Sequence, residues 1–201
     1  MSLIIGITGS IGSGKSSVAR MMRKFGAAVI DTDKLAHAVY KPGTEAYNDV
    51  VLAFGKNILS PSGKIDRKAL AAIVFQDVSA LKKLNAITHP RTLESVCKLL
   101  NKYVRKNVDV IVIEAPLLVE AGWKGLADEV WVVAAGKSAI KQRLYKQRRL
   151  TEADVASRMK GRYSQVKLIK YADVVIQNDG SKEALQVQVT RQWNRLLTGK
   201  I

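Results

Sequence analysis

Residues 3–26 read LIIGITGSIGSGKSSVARMMRKFG. At their centre is Gly9-x-x-x-x-Gly14-Lys15-Ser16, the phosphate-loop signature. The run LIIGIT before it is short, apolar and β-branched, the pattern of a buried strand. After it, Val18, Met21, Met22 and Phe25 recur at helical spacing, and Gly26 supplies a C-terminal stop. Strand, glycine loop and helix together are what the signature requires. The glycines permit positive φ and let the backbone approach a ligand with no Cβ in the way. Successive N–H groups can then turn inward as an anion nest, backed by the positive end of the helix. Lys15 is placed to reach the β- and γ-phosphates, and the Ser16 hydroxyl to ligate Mg²⁺. The loop residues Ile11, Gly12, Ser13, Gly14, Lys15, Ser16 and Ser17 are therefore expected to bind a nucleoside triphosphate, as MgATP.

The rest of the composition sets bounds. With 201 residues, 47% hydrophobic and 25% charged, the chain suits one good core with room for an inserted subdomain. No apolar run approaches the roughly 18 residues of a membrane span. The chain enters its first strand without the basic region or cleavage site of a secretory leader. The single cysteine, Cys97, cannot form an internal disulfide, reads as a small core residue of a helix, and suits a reducing cytoplasm. The unusual quantity is a net charge of +16, with a pI near 10.0. Much of it falls in residues 137–170, where eleven lysines and arginines face two acidic residues, Glu152 and Asp154. Such a cluster can be a lid closing on triphosphate and an anionic substrate, a solvated basic face, or a nucleic-acid patch. Only Tyr145 and Tyr163 interleave it, so a nucleic-acid partner is not expected, and neither is a membrane.

Strands and helices alternate along the chain. Residues 27–31 (AAVID) read as a second strand, followed by a short helix that Pro42-Gly43 halts. Residues 44–107 keep helical spacing, broken by the turn SPSGKID and by His89-Pro90, where proline removes a backbone donor and bends or breaks the helix. Residues 108–116 (VDVIVIEAP), 128–135 (DEVWVVAA) and 172–178 (ADVVIQN) read as strands three to five. Helical segments lie between the last two, among them one opened by the capping box Thr151-x-x-Asp154. A closing helix shows Leu185, Val189, Trp193 and Leu196 on one face. The expected fold is α/β: a P-loop NTPase three-layer fold with a mostly parallel five-stranded sheet, a helical acceptor-binding insertion and a helical lid. Ligands of such sheets bind at the carboxyl ends of the strands. The loop, Asp31, Glu114 and Asn178 all fall there.

Asp31 and Asp33 follow the second strand two residues apart, a spacing that faces both carboxylates to the same side in extended chain. Phosphoryl transfer to a hydroxyl needs a proton acceptor and a group that balances the metal. Asp33 is the candidate base, with N-capping of the next helix as its structural alternative; Asp31 is the candidate to orient Mg²⁺ through water. His89 and His37 are candidates for the substrate side or for structure. Glu120, in the segment PLLVEAG, could line the acceptor site or serve structure. Trp123, Trp131 and Trp193 read as packing residues.

Six segments, GITGSIGSGKSSVA, VIDTDKLAH, ITHP, APLLVEAG, QRL with LTEADVASRM, and YADVVIQNDGS, resemble those of the dephospho-coenzyme A kinase family, in the same order and over nearly the whole chain. The resemblance implies ATP-dependent phosphorylation of the ribose 3′-hydroxyl of dephospho-CoA to give CoA and ADP. It implies a nucleotide core (residues 1–32, 108–142 and 171–201), a CoA-binding helical insertion (33–107) and a lid (143–170). By position, Asp33, Lys15 and Arg143 would be catalytic, Arg143 as the lid arginine on phosphate. Thr8, Asp33, His89, Pro116, Leu117, Leu118 and Glu120 would face the acceptor, and Asn178 the adenine. The chain departs from the family pattern at Gln147, where a basic residue is usual and Arg148 and Arg149 follow, at Arg162, commonly Gln, and at Ser17, commonly Thr. Other readings are another P-loop small-molecule kinase, acting on a nucleoside monophosphate or a sugar, and a nucleic-acid-associated ATPase. A GTP switch would need Asp-x-x-Gly and Asn-Lys-x-Asp, and the chain has neither.

Overall fold

The computed structural model describes residues 2–147, 151, 155 and 162–198. The chain divides into two compact units, Met1–Asp31 with Asn101–Ile201, and Thr32–Leu100. The described residues of the expected lid belong to the first unit.

In the first unit the hydrophobic runs become β1 (Leu3–Thr8), β2 (Ala28–Asp31), β3 (Val110–Glu114), β4 (Glu129–Ala134) and β5 (Val174–Gln177). They form one sheet in the order β2-β3-β1-β4-β5, with every pairing parallel. Strands three and five are shorter than the sequence suggests by a residue or two at each end. The central strands are apolar on both faces because helices cover both sides of a parallel sheet. Helix α1 (Lys15–Lys24) and the closing helix, here named for its residues Lys182–Thr198, pack against one another and onto the sheet. Ile5, Ile7, Val18, Met22, Val112, Trp131, Val133 and Val189 are wholly buried there. Each such side chain contributes about 1.5–3 kcal/mol of burial free energy. Trp131 is thus core, and Trp193 packs its ring on Phe25, centroids 5.6 Å apart.

β1 and β3 are neighbours, yet the chain leaves them toward opposite sides of the sheet: β1 leads to β2, and β3 leads to β4. That divergence is the topological switch point, where parallel sheets open a crevice at their carboxyl ends. Both the phosphate loop and Glu114 lie at this point.

The second unit is helical: α2 (Thr32–Ala38), α3 (Glu45–Phe54), α4 (Arg67–Gln76) and α5 (Val78–Arg105), which continues into the first unit. Thr44 caps α3 by accepting the Tyr47 N–H at 3.1 Å, and Asp66 caps α4 by accepting the Lys68 N–H at 2.8 Å. Tyr40, Ala46, Val50, Ile58, Leu70 and Val74 form its core. Arg91 joins α5 to α3 through Asp49 at 2.6 Å. The segment SPSGKID closes a single antiparallel bridge, Leu59 to Ile65, around Gly63 at φ 73°.

Of the two outcomes the sequence leaves open at Pro90, a bend or a break, the break does not occur: α5 runs through it without interruption. The missing donor is outweighed by a buried stripe, Thr88, Thr92, Val96 and Leu100, repeating every four residues. Cys97, expected in the core, is only half-buried.

Burial lowers the pKa of His89, in α5, from its ordinary value near 6.5. A base with a depressed folded pKa leaves the unfolded chain binding more protons, so stability falls as pH drops below the unfolded value. Urea unfolding midpoints are expected to decrease from pH 7.5 to 5.5, and His89→Gln is expected to flatten that dependence. An equally steep profile in the variant would contradict this.

Candidate active site

The phosphate loop is bounded by β1 and by α1, whose N-cap is Gly14 at φ 103°. Gly9, Gly12 and Gly14 all have positive φ. Two of them are also crowded: a Cβ on Gly9 would strike the Val133 carbonyl, and one on Gly14 would strike the Asn178 amide nitrogen. Here glycine is demanded by both backbone and space.

Lys15 is nearly buried, and its ammonium donates to the carbonyls of Gly9 and Ser10, both at 2.9 Å. The charge is thereby held over the loop itself. Two loop hydroxyls, Ser10 Oγ and Ser13 Oγ, are buried with no hydrogen-bond partner among the described residues. Buried polar atoms left unpaired are costly, and a ligand rich in acceptor oxygens would satisfy both.

Ser16 Oγ donates to Glu114 Oε1 at 2.5 Å. Glu114 ends β3, and in the sheet register it stands directly opposite Asp31 on β2 and Ile7 on β1. A hydroxyl and two carboxylates thus converge beside the loop. Ser16 and Asp31 are the metal-side groups expected from the sequence, and Glu114 is a further one that the structure sets beside them. Its only sequence signal was an acid at a strand's carboxyl end.

Arg143 lies in a π-helical turn, Gln142–Gln147, that follows α6 (Lys137–Lys141). Such wide turns often occur at functional sites. Leu144 is wholly buried against Gly12, which anchors the turn to the loop. Arg143 then reaches over the loop. Its Nη2 donates to the Asn178 carbonyl at 2.7 Å and to Asn178 Oδ1 at 3.2 Å, and its Nη1 to the Ser13 and Gly12 carbonyls at 3.3 and 3.4 Å. All four acceptors are neutral, so these bonds orient the guanidinium without cancelling its charge.

Asn178 follows β5 and is almost fully buried, with its Nδ2 donating to the Ser13 carbonyl at 2.7 Å. Beside it, Asp179 accepts the Gly136 N–H and a bond from Gln177 Nε2 at 2.6 Å. The Gly136 bond chiefly, then Gln177 and the charge of Arg143, hold the Asp179 carboxyl below its usual range.

The segment after β3 is expected to face the acceptor, and its members differ. Thr8 is buried, and its hydroxyl reaches the Pro116 carbonyl at 3.5 Å. Leu117 is half-buried, whereas Leu118 is wholly buried over Gly6, where a Cβ would meet it at 2.5 Å. The Leu118 side chain is therefore core and anchors the segment from below, rather than lining an open surface. Glu120 accepts the Tyr163 N–H at 2.9 Å through Oε1, and its Oε2 is buried with no hydrogen-bond partner among the described residues. Tyr163 in turn carries the Lys167 ammonium 3.4 Å above its ring and stacks on Tyr171.

Two expected site residues belong to the helical unit. Asp33 is exposed in the first turn of α2, two residues past the end of β2. Since α2 begins at Thr32, Asp33 is not its N-cap. It is instead an acid in the first turn, where the helix dipole favours the carboxylate. His89 is half-buried in α5. His37 shares a 2.5 Å hydrogen bond between its Nδ1 and the Tyr40 hydroxyl. The side chain of Gln147, all of Arg148 and Arg149, and Asp154 of the expected capping box lie outside the described residues.

A parallel sheet ordered 2-3-1-4-5, with a phosphate loop after its central strand and an arginine laid over that loop, defines a P-loop kinase. The model of the family "CoaE: Dephospho-CoA kinase" matches residues 3–184. Dephospho-CoA kinase of Moorella thermoacetica is 44% identical over 96% of this chain and 92% of its own length. Among solved structures, TT1252 from Thermus thermophilus superposes with a TM-score of 0.80 at 32% identity, covering 97% of this chain and 98% of its own. Dephospho-CoA kinase from Campylobacter jejuni does so with a TM-score of 0.73 at 26% identity over all of both chains. This chain belongs to the dephospho-CoA kinase family.

Proposed function

We propose that the chain transfers the γ-phosphoryl group of ATP to the ribose 3′-hydroxyl of dephospho-CoA, giving CoA and ADP, the last step of CoA synthesis. The observation that carries it is the loop whose two buried hydroxyls have no hydrogen-bond partner among the described residues and over which the Lys15 and Arg143 cations lie, within a chain matched by this family from residue 3 to 184.

Phosphoryl transfer leaves the protein little covalent work, so rate comes from positioning and charge. The loop N–H groups and the start of α1 bind the β- and γ-phosphates, and Lys15 balances their charge. The acceptor 3′-oxygen attacks phosphorus in line as its proton passes to Asp33, and the bond from phosphorus to the β,γ-bridging oxygen breaks, releasing ADP. Arg143 keeps its charge against the equatorial oxygens as negative charge develops on them.

The donors beside the loop fit Mg²⁺. They are all oxygens, and Mg²⁺ keeps several waters while taking one or two carboxylates plus substrate phosphates. Ser16, Glu114 and Asp31 would hold it, Asp31 through water, and it would neutralise charge between the β- and γ-phosphates. Glu114→Gln is expected to raise the Mg²⁺ concentration needed for half-maximal rate by about tenfold. An unchanged Mg²⁺ dependence would remove Glu114 from the metal site.

Absence of a membrane-crossing helix among the described residues and a single cysteine suit a cytoplasmic enzyme. The test of function is ADP release from MgATP with dephospho-CoA, a nucleoside monophosphate, a sugar or DNA added in turn. Strong stimulation by dephospho-CoA alone is expected; stimulation by another of these instead would overturn the reading.

A further inference from the structure

Asn178 ties three separate parts of the described structure together: strand β4, the Arg143 turn and the phosphate loop. Its backbone N–H is fixed on the Ala134 carbonyl at 2.8 Å, extending the ladder between β4 and β5. Its backbone and side-chain oxygens both accept from Arg143 Nη2, and its Nδ2 donates to the Ser13 carbonyl. Ser13 is 165 positions away in sequence. The residue is 6% exposed, and its bond to the Ser13 carbonyl is buried from water.

We infer that Asn178 is a positioning residue for the phosphates: it fixes the Ser13–Gly14 peptide so that the Gly14 N–H faces the triphosphate, and in the same stroke holds Arg143 over the loop. A trans peptide points its C=O and N–H in opposite directions. Holding the Ser13 oxygen toward Asn178 therefore turns the Gly14 N–H away from Asn178, to the other side of the loop. Gly14 is also where a Cβ would collide with this amide, so the close approach and the peptide orientation are one design. Only an amide serves both partners, because Ser13 presents an acceptor and Arg143 presents donors. A carboxylate would set oxygen against the Ser13 carbonyl. An adenine contact by this residue, which the family resemblance implies, would act on the base; the geometry here acts on the phosphates.

This inference rests on the loop being a triphosphate cradle and is independent of the acceptor. The test uses the full chain with inorganic tripolyphosphate, which has no base, and with ADP, each titrated calorimetrically in Mg²⁺ buffer. Asn178→Ala is expected to weaken both by a similar factor, roughly tenfold, the cost of leaving the buried Ser13 carbonyl without its amide donor. The isosteric Asn178→Asp keeps the volume and the acceptor for Arg143, loses the donor, and is expected to weaken both alike. Unchanged tripolyphosphate affinity with weakened ADP in a folded variant would overturn the inference in favour of a base contact. Should both variants fail to fold, the wild-type chain decides. Its Asn178 side-chain amide resonances are expected to shift on adding tripolyphosphate and not on adding adenosine, and the reverse pattern would overturn the inference.

Discussion

Asp33→Asn is expected to leave ATP affinity within about twofold of wild type while lowering kcat by a factor of about 10²–10⁴, the usual contribution of a general base. The change keeps size and removes the negative charge together with the capacity to take a proton. Asp33 lies in the first turn of α2, outside the phosphate loop, so nucleotide binding has no reason to follow it. The helix also loses a favourable charge at its N-terminus, worth about 0.3–1 kcal/mol. That is too little to unfold the chain and can be measured separately by denaturation. Steady-state turnover beside calorimetric ATP binding checks this. An unchanged kcat would remove Asp33 from the chemistry.

Arg143→Ala is expected to lower kcat by about 10²–10³, the range for deleting one donor that serves developing charge, with only a few-fold loss of ATP affinity. Arg143 donates to four neutral carbonyl oxygens, and Asn178 still holds the Ser13 carbonyl when Arg143 is gone. The loop should therefore keep its shape while the transition state loses its cation. Arg143→Lys should recover little, because an ammonium cannot reproduce the planar fork that spans the Asn178 and Ser13 carbonyls. The comparison is kcat against the dissociation constant for ATP. Equal losses in both would make Arg143 a docking residue that binds ground and transition states alike.

The core of this protein was legible because its signals are local. β1, the loop and α1 are contiguous, and apolar runs followed by 3.6-residue spacing sufficed to find them. That α5 is not broken at Pro90 was not legible, for the converse reason. A proline's cost is local and easy to see, while the stripe Thr88, Thr92, Val96 and Leu100 that carries α5 through it depends on packing. Leu118 could be seen to follow a strand, but its burial depends on Gly6, which the sheet brings beneath it. Glu114 was visible only as a strand-end acid, since its partner Ser16 is 98 positions away. The helical segments between β4 and β5 read from the sequence as ordinary α-helix. The π-helical turn at Gln142–Gln147, from which Arg143 reaches the loop, leaves no periodic trace over so few residues. Lys15, Arg143, Asp31 and Asp33 can be proposed for the site from residue type and position alone. What they touch was set by pairings across the sheet that no short window contains.

The transfer is tested most directly on its product. The chain would be incubated with MgATP and dephospho-CoA, and the acceptor followed by mass spectrometry, with ³¹P NMR locating the new phosphate. A gain of one phosphoryl group on the ribose 3′-oxygen is expected, with one ADP formed for each CoA. ADP formation with the acceptor unmodified, or phosphorylation at another position, would contradict it.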